Sequence, residues 1–154
     1  LKWTVRSDMP QIFDIEQRCF PDPWTEEEFL KMLRVRENIC RSAWRGERVV
    51  GFLVYQLKRH ELLIHNLAVH PEEQRLGVGR ALLDQLKGKL SDNHRRAIVA
   101  PVADSNLDAQ LVFRSQGFVV SEVEAGAFND GRDAYRFIFR HGWPLPDAPK
   151  GTSV

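Results

Sequence analysis

Gln74-Arg75-Leu76-Gly77-Val78-Gly79 follows an apolar run, Leu62 to Val69, and opens into a strongly amphipathic segment. The stretch reads as a strand that ends in a glycine-interrupted loop and turns into a helix. Such a junction aims unpaired backbone N–H groups and the positive end of a helix dipole at one point. Arg75 and Arg80 flank that point, so the expected ligand is anionic. A Walker loop needs Gly-x-x-x-x-Gly-Lys-Ser/Thr so that a lysine and a hydroxyl reach phosphate and magnesium, but Arg80 and Ala81 follow Gly79. A dinucleotide fingerprint needs a third glycine or alanine three positions after Gly79, where Leu82 stands. An ordinary glycine-rich turn also fits these six residues, so the flanks must decide.

On the N-terminal side, Trp3 to Arg6 has strand character, and Met9 to Phe20 repeats Ile12, Phe13, Ile15, Cys19 and Phe20 at helical spacing. Pro21 to Trp24 breaks that helix. Thr25 and Glu28 have the capping-box spacing that opens a second helix through about Leu33. Ile39 to Trp44 and Val49 to Leu57 form an expected hairpin about Arg45-Gly46-Glu47-Arg48, and Leu62 to Val69 is the strand that feeds the loop. On the C-terminal side, Leu76 to Leu90 predicts a helix with Leu76, Leu83, Leu86 and Leu90 on one side, and Ala97 to Val102 predicts a strand. The next helix is expected to be capped by Asp104 or Ser105, to bury Leu107, Leu111 and Val112, and to end at Gly117. Two strands, Phe118 to Val123 and Ala134 to Phe139, flank the turn Asn129-Asp130-Gly131.

The predicted order is βααβββαβαββ, without repeats or a linker. It predicts an α/β fold of the α+β type: one mixed sheet with helices on both faces, in a single domain over residues 1–142. Residues 143–154 carry prolines that cannot continue a ladder, so an irregular tail is expected.

A chain of 154 residues suits one domain with a core of its own. No apolar run approaches the ~20 residues of a membrane span and no signal peptide is evident, so the expected location is cytoplasmic. Cys19 and Cys40 are too few and too far apart for a zinc site or a disulfide framework; no metal is expected, and both read as reduced thiols. The net charge of +1 gives no reason to expect a nucleic-acid or membrane partner. Arg34, Arg36, Arg41, Arg45 and Arg48 cluster locally, and with acidic residues among them they read as a solvated face.

With the loop in this setting, the sequence resembles the GNAT acyltransferases over nearly its whole length. Gln74, Gly77 and Gly79 occupy the positions of that family's Gln/Arg-x-x-Gly-x-Gly/Ala loop, which holds the pyrophosphate of coenzyme A. Within the family it is most similar to RimI-type protein N-terminal (ribosomal-protein alanine) acetyltransferases. The likeness is carried by Ile15-Glu16-Gln17 through Phe20, Pro23-Trp24, Asn66-Leu67-Ala68-Val69-His70-Pro71, Gly79-Arg80-Ala81-Leu82-Leu83, Ser105-Asn106, Gly117-Phe118 and Asp130-Gly131-Arg132. The resemblance implies acetyl transfer from acetyl-CoA to a primary amine, a protein N-terminal α-amine first, by direct attack on the thioester. The cofactor would lodge where the fourth and fifth strands splay apart.

The implied cofactor residues are Gln74, Arg75, Leu76, Gly77, Val78, Gly79 and Arg80 for the pyrophosphate. Leu67, Ala68 and Val69 would present backbone groups to the acetyl and pantetheine portions, and Asn106 would hold the pantetheine arm. Asn106 also reads as a helix cap, but with Asp104 or Ser105 expected in that role it is left free for the cofactor.

Amide formation needs a neutral amine, a stabilised oxyanion and a proton for the departing thiolate. RimI-type enzymes carry a glutamate and a tyrosine for the first and last tasks, and here Pro101 and Phe113 stand at those positions. Strand alternation groups Leu63, His65, Leu67 and Val69, of which His65 alone titrates, so His65 is the candidate base. The segment His65 to His70 also resembles serotonin N-acetyltransferases, in which the matching histidine relays a proton through water. A core histidine bonded to its neighbours is the competing reading. His70, beside the Pro71 turn, reads as a surface residue, and Tyr135 on the last strand is the candidate acid. The segment that contacts the acceptor peptide in RimI-type enzymes is altered to Gly126-Ala127-Phe128-Asn129. That leaves open a small-molecule amine as acceptor, and Pro101 and Phe113 at the expected acid and base positions leave open an acyl-CoA-binding module without catalysis.

Overall fold

The computed structural model describes residues 1–146. Its elements are β1 (Lys2–Trp3), α1 (Met9–Cys19), α2 (Glu26–Arg34), β2 (Asn38–Arg45), β3 (Arg48–Leu57), β4 (Glu61–Val69), α3 (Val78–Lys87), β5 (Ala97–Ala103), α4 (Leu107–Ser115), β6 (Val119–Glu124) and β7 (Ala134–Arg140). This is the expected order. β1 is shorter than the sequence suggests because the Asp8 carboxylate accepts from Val5 N–H at 2.9 Å and draws Arg6–Asp8 into a 3₁₀ turn. The Thr25 capping box opens α2 as expected: Thr25 Oγ1 accepts from Glu28 N–H at 3.1 Å, and Glu28 Oε1 accepts from Thr25 N–H at 3.3 Å. Trp143 to Pro146 have no regular structure, and the rest of the expected tail lies outside the described residues.

The strands form one sheet in the order β1-β2-β3-β4-β5-β7-β6. Only β4 and β5 run parallel, and every other neighbouring pair is antiparallel. On one face, Ile12, Ile15 and Phe29 of α1 and α2 pack on Phe52, Val54 and Ala68. On the other, Leu82, Leu83 and Leu86 of α3 and Phe113 of α4 pack on Leu53, Tyr55, Ile98 and Phe137.

Four side chains expected in this core lie outside it: Leu76, Leu107, Leu111 and Val112, the last 37% exposed. Leu76 is exposed because Gly77, at φ +87°, turns the chain and α3 starts only at Val78. Leu107 and Leu111 of α4 are each 66% exposed. α4 presents Ala109 and Phe113 to the sheet, and residues offset by two positions on a helix point roughly to the opposite side.

β4 carries a bulge at His65: Val54 lies opposite Asn66, whereas Tyr55 lies opposite Ile64. The extra residue reverses the facing of the strand. Before it, Leu63 packs with Ala97, Val99 and Ile138; after it, Leu67 and Val69 pack on the α3 side. The expected grouping of Leu63, His65, Leu67 and Val69 on one face is therefore corrected. Simple alternation fails where one residue is inserted.

Gly51 seats α3 on the sheet. A Cβ there would meet Val78 Cγ1 at 2.9 Å and the Ala68 carbonyl oxygen at 3.0 Å, so only glycine lets the first residue of α3 approach β3. Gly51→Ala is expected to lower unfolding free energy by about 1–3 kcal/mol in urea denaturation, because Val78 and the strand must move apart.

Candidate active site

Pairing between β4 and β5 covers Glu61–Ala97, Leu62–Ile98 and Leu63–Val99, and then stops. Two features meet at that level. His65 is the bulged residue of β4, and Pro101 of β5 has no N–H to continue the ladder. β5 remains paired to β7 through Ala103, and β4 remains paired to β3 through Val69. The sheet thus opens into a wedge whose walls are the ends of β4 and β5. Leu67 and Val69 lie on the edge of β4 that β5 leaves, where the Val69 carbonyl accepts from Cys19 Sγ at 3.2 Å and from Gln74 Nε2 at 3.1 Å, whereas the Ala68 carbonyl lies toward Gly51 of β3.

The loop from Gln74 to Gly77 begins at the top of this wedge. Arg75 takes φ +67° and Gly77 φ +87°, and Gly77 is the N-cap of α3. No side chain caps α3, in contrast to Thr25 on α2 and Asn106 on α4. The N–H groups of Val78, Gly79 and Arg80 have no acceptor within the helix and lie at its positive end, a geometry that can receive an anion. Gly79 is less restricted than Gly77: an added Cβ would make ordinary contacts of 3.7 Å with Val69 and 3.8 Å with Val112.

The side chains of this loop are occupied elsewhere. Gln74 Nε2 donates to the Val69 carbonyl at 3.1 Å, tying the loop to the end of β4. Arg80 Nη2 donates to the Pro146 carbonyl at 3.3 Å, and its Nε lies 3.6 Å from Asp84 Oδ2. Arg75 and Leu76 are exposed. Arg75 is thus the loop arginine whose side chain is in solvent, beside backbone N–H groups that could receive an anion.

Asn106, rather than Asp104 or Ser105, caps α4: its Oδ1 accepts from Ala109 N–H at 3.2 Å. Ser105 Oγ instead accepts from Arg132 Nη1 at 3.1 Å, and the Asp104 carbonyl accepts from Gln110 Nε2 at 3.0 Å. The cap engages Oδ1 of the Asn106 amide, and Nδ2 takes no part in it.

His65 is half-buried, with Nε2 2.9 Å from Gln56 Oε1. Gln56 follows Val54 by two residues on β3 and pairs with Leu63, so this contact sets His65 on the α1 and α2 side of the sheet. Burial, and then the Lys58 ammonium, push its pKa below the ordinary histidine value. It is therefore neutral at pH 7. Tyr135 lies opposite Val102 and packs on the α3 and α4 side. The two candidate catalytic residues are thus on opposite faces rather than together.

Phe113 is buried against Phe118 and Phe137, at 5.1 Å and 5.8 Å between ring centroids, and acts as core. Pro101 is exposed and lies opposite Arg136, whose guanidinium reaches Glu61 at 3.4 Å and Glu122 at 3.5 Å.

His70 is not a surface residue. It is buried, and its Nδ1 accepts from Glu72 N–H at 3.1 Å, capping the 3₁₀ turn Pro71–Glu73. The arginine cluster is likewise more than a solvated face: Arg41 is buried, and Arg45 and Arg48 pair with Glu73.

Glu16, which sequence reasoning passed over, is buried beside β4. Its carboxylate accepts from Asn66 Nδ2 and, at 2.9 Å, from Trp24 N–H. It thereby joins α1, the α1–α2 loop and the strand at the wedge. Desolvation holds its pKa above the usual carboxylate value despite those bonds. The signal was present, since Glu16 follows Ile12 by four residues on the buried stripe of α1. Cys19 Sγ donates to the Val69 carbonyl at 3.2 Å, and burial pushes its thiol up to about 11, as it does Cys40. Neither thiol is an activated nucleophile.

The acetyltransferase (GNAT) family profile matches residues 9–118. The [ribosomal protein bS18]-alanine N-acetyltransferase of Escherichia coli K12 is 30% identical over 129 residues, covering 82% of this chain and 86% of that protein. The crystal structure of the ribosomal-protein-S18-alanine N-acetyltransferase from Escherichia coli superposes with a TM-score of 0.76 at 26% identity, covering 97% of this chain and 96% of the other. Ard1 from Thermoplasma volcanium shares the fold, with a TM-score of 0.77 at 22% identity over 90% of this chain and 95% of its own.

An anion loop at the mouth of a split mixed sheet is the framework of an acyl-CoA-dependent transferase. This chain belongs to the acetyltransferase (GNAT) family. It is an acetyl-CoA-dependent N-acetyltransferase, with coenzyme A as the acyl carrier.

Gly77→Ala is expected to weaken coenzyme A binding by about tenfold or more in isothermal titration calorimetry, because a left-handed backbone costs a side-chain-bearing residue about 1–2 kcal/mol. Gly79→Ala is expected to stay within about threefold of the unsubstituted protein, since its Cβ meets only ordinary van der Waals contacts.

Proposed function

We propose that the acceptor is the α-amine of a protein or peptide N-terminus and that His65 is the base which keeps it neutral. The observation that carries this reading is the two-sided wedge: the uncapped start of α3 lies on one face and neutral His65 on the other. The 30% identity to an enzyme named for acetylating an N-terminal alanine of a ribosomal protein supports the acceptor class. The base also suits such an acceptor. An α-amine has a pKa of ~8 against ~10.4 for lysine, so a histidine suffices where a strong carboxylate base is missing.

In this reading Val78, Gly79 and Arg80 hold the pyrophosphate through their N–H groups, with Arg75 above them, and the Asn106 amide holds the pantetheine arm. Gln74 fixes the loop, and Leu76 borders it from the solvent side. A backbone N–H of the Leu67–Val69 edge donates to the thioester oxygen as it gains charge. The amine attacks from the His65 side; its nitrogen forms the new C–N bond while the C–S bond breaks, and its proton passes to His65 through water. With Nε2–H donating to Gln56 Oε1, Nδ1 is the accepting nitrogen. The coenzyme A thiolate leaves toward the face of Tyr135, whose hydroxyl supplies the proton; solvent also suffices, since a thiol pKa is ~8.5. Among the described residues, no helix is long and apolar enough to cross a membrane. A cytoplasmic N-terminus is the acceptor in this proposal.

The test is thiol release with acetyl-CoA against a panel of free N-terminal peptides, N-blocked lysine peptides and small amines. Turnover confined to free N-termini is expected, and turnover confined to lysines or small amines would overturn the acceptor assignment. His65→Ala is expected to reduce kcat about 100-fold or more at pH 7, within the range for loss of a general base. The sign of the pH dependence follows from the depressed histidine pKa: rate rises as pH passes an ionisation below 6.5, and His65→Ala removes that limb from the kcat/KM profile.

A further inference from the structure

Glu73 stands directly before the loop Gln74–Gly79 and is only 7% exposed. Its carboxylate is gripped from both sides: Oε2 accepts from Arg45 Nε at 3.0 Å, and Oε1 accepts from Arg48 Nη2 at 2.7 Å. The arginines flank the turn between β2 and β3, and Arg48 Nη1 also reaches Glu72 at 3.5 Å. The 3₁₀ turn Pro71–Glu73 is also held along its backbone, with His70 N–H donating to the Val50 carbonyl and Glu73 N–H to the His70 carbonyl, each at 2.8 Å. A buried carboxylate next to a loop that binds a pyrophosphate is electrostatically unfavourable unless it is neutralised where it sits. Charge-assisted bonds from two guanidinium groups do this, and their directionality also fixes the point from which the loop departs.

We propose that the Arg45–Glu73–Arg48 clamp sets the affinity for coenzyme A, with these three side chains acting as positioning residues that touch no reacting atom. The clamp does two things at once. It anchors the chain just before Arg75 and Gly77 take their left-handed conformations, and it cancels a negative charge that would repel the pyrophosphate. The clamp rests on the coenzyme A site and not on the N-terminal acceptor. Coenzyme A binding by the unsubstituted protein, measured without acceptor, tells a failure of one from a failure of the other.

The experiment compares the unsubstituted protein with Arg45→Ala/Arg48→Ala and with the same pair carrying Glu73→Gln. Readouts are Kd for coenzyme A by calorimetry, KM for acetyl-CoA and for an acceptor peptide, kcat and Tm. Removing both arginines strips the carboxylate of its two countercharges, so Kd and the KM for acetyl-CoA are expected to rise together by about tenfold. The acceptor KM, and kcat at saturating acetyl-CoA, should stay within about twofold of the unsubstituted protein. Adding Glu73→Gln removes the uncompensated charge and should recover most of the lost affinity, the coupling expected of groups in one network. An unchanged Kd, a lowered Tm with unchanged Kd, or a loss that Glu73→Gln does not relieve would overturn the proposal.

Discussion

The structure depends on the end of pairing between β4 and β5. A parallel ladder normally continues as long as both strands can offer donors and acceptors in register. Here it stops after Leu63–Val99, because β4 spends an extra residue at His65 and β5 reaches Pro101. Each strand stays fixed on its other side, β4 by β3 and β5 by β7, so neither closes the gap. The opening is a built feature of a rigid sheet. Backbone groups that would have been satisfied by a neighbouring strand are available to a ligand instead.

The loop above the opening uses the same economy. α2 and α4 have side-chain caps, α1 and α3 do not, and of the two uncapped starts it is α3 that follows the loop at the split sheet. In the proposed reading that start donates to the pyrophosphate and the β4 edge to the thioester. Gly51 lets α3 lie close enough for the two sets of donors to be adjacent, and Gln74 and the Glu73 clamp hold the connecting chain. The bulge then gives the sheet two chemically different sides: Leu67 and Val69 face the helix that carries the loop, and His65 faces the other way.

The fold was legible from the sequence because its signals are local. Thr25 and Glu28 announce a helix, Gly77 and Gly117 end or begin one, and the apolar run from Leu62 to Val69 is a strand on any reading. What failed depends on a partner distant in the chain. The His65 bulge is defined only by its register with β3, so alternation misplaced Leu63 against Leu67. The cap of α4 was given to Asp104 or Ser105, but Arg132 holds Ser105 from the β6–β7 loop and Asn106 takes the role. Leu107 and Leu111 looked like core because α4 carries apolar residues on more than one side, and only its packing on the sheet selects Ala109 and Phe113 as the inner face. The arginines looked solvated because their carboxylate partner comes from another element, and His70 because the β3 strand that holds its N–H through the Val50 carbonyl is distant in the chain.

A bisubstrate analogue, with coenzyme A joined through an acetyl bridge to the nitrogen of a short peptide N-terminus, tests the two-sided wedge most directly when its crystal structure with the protein is determined. The account predicts that the pyrophosphate rests on the N–H groups of Val78 to Arg80 and that the bridging carbonyl lies between the Leu67–Val69 edge and Pro101. The peptide should then leave on the face of His65. A peptide that leaves on the α3 and α4 face, or a coenzyme A that bypasses the opening between β4 and β5, would contradict it.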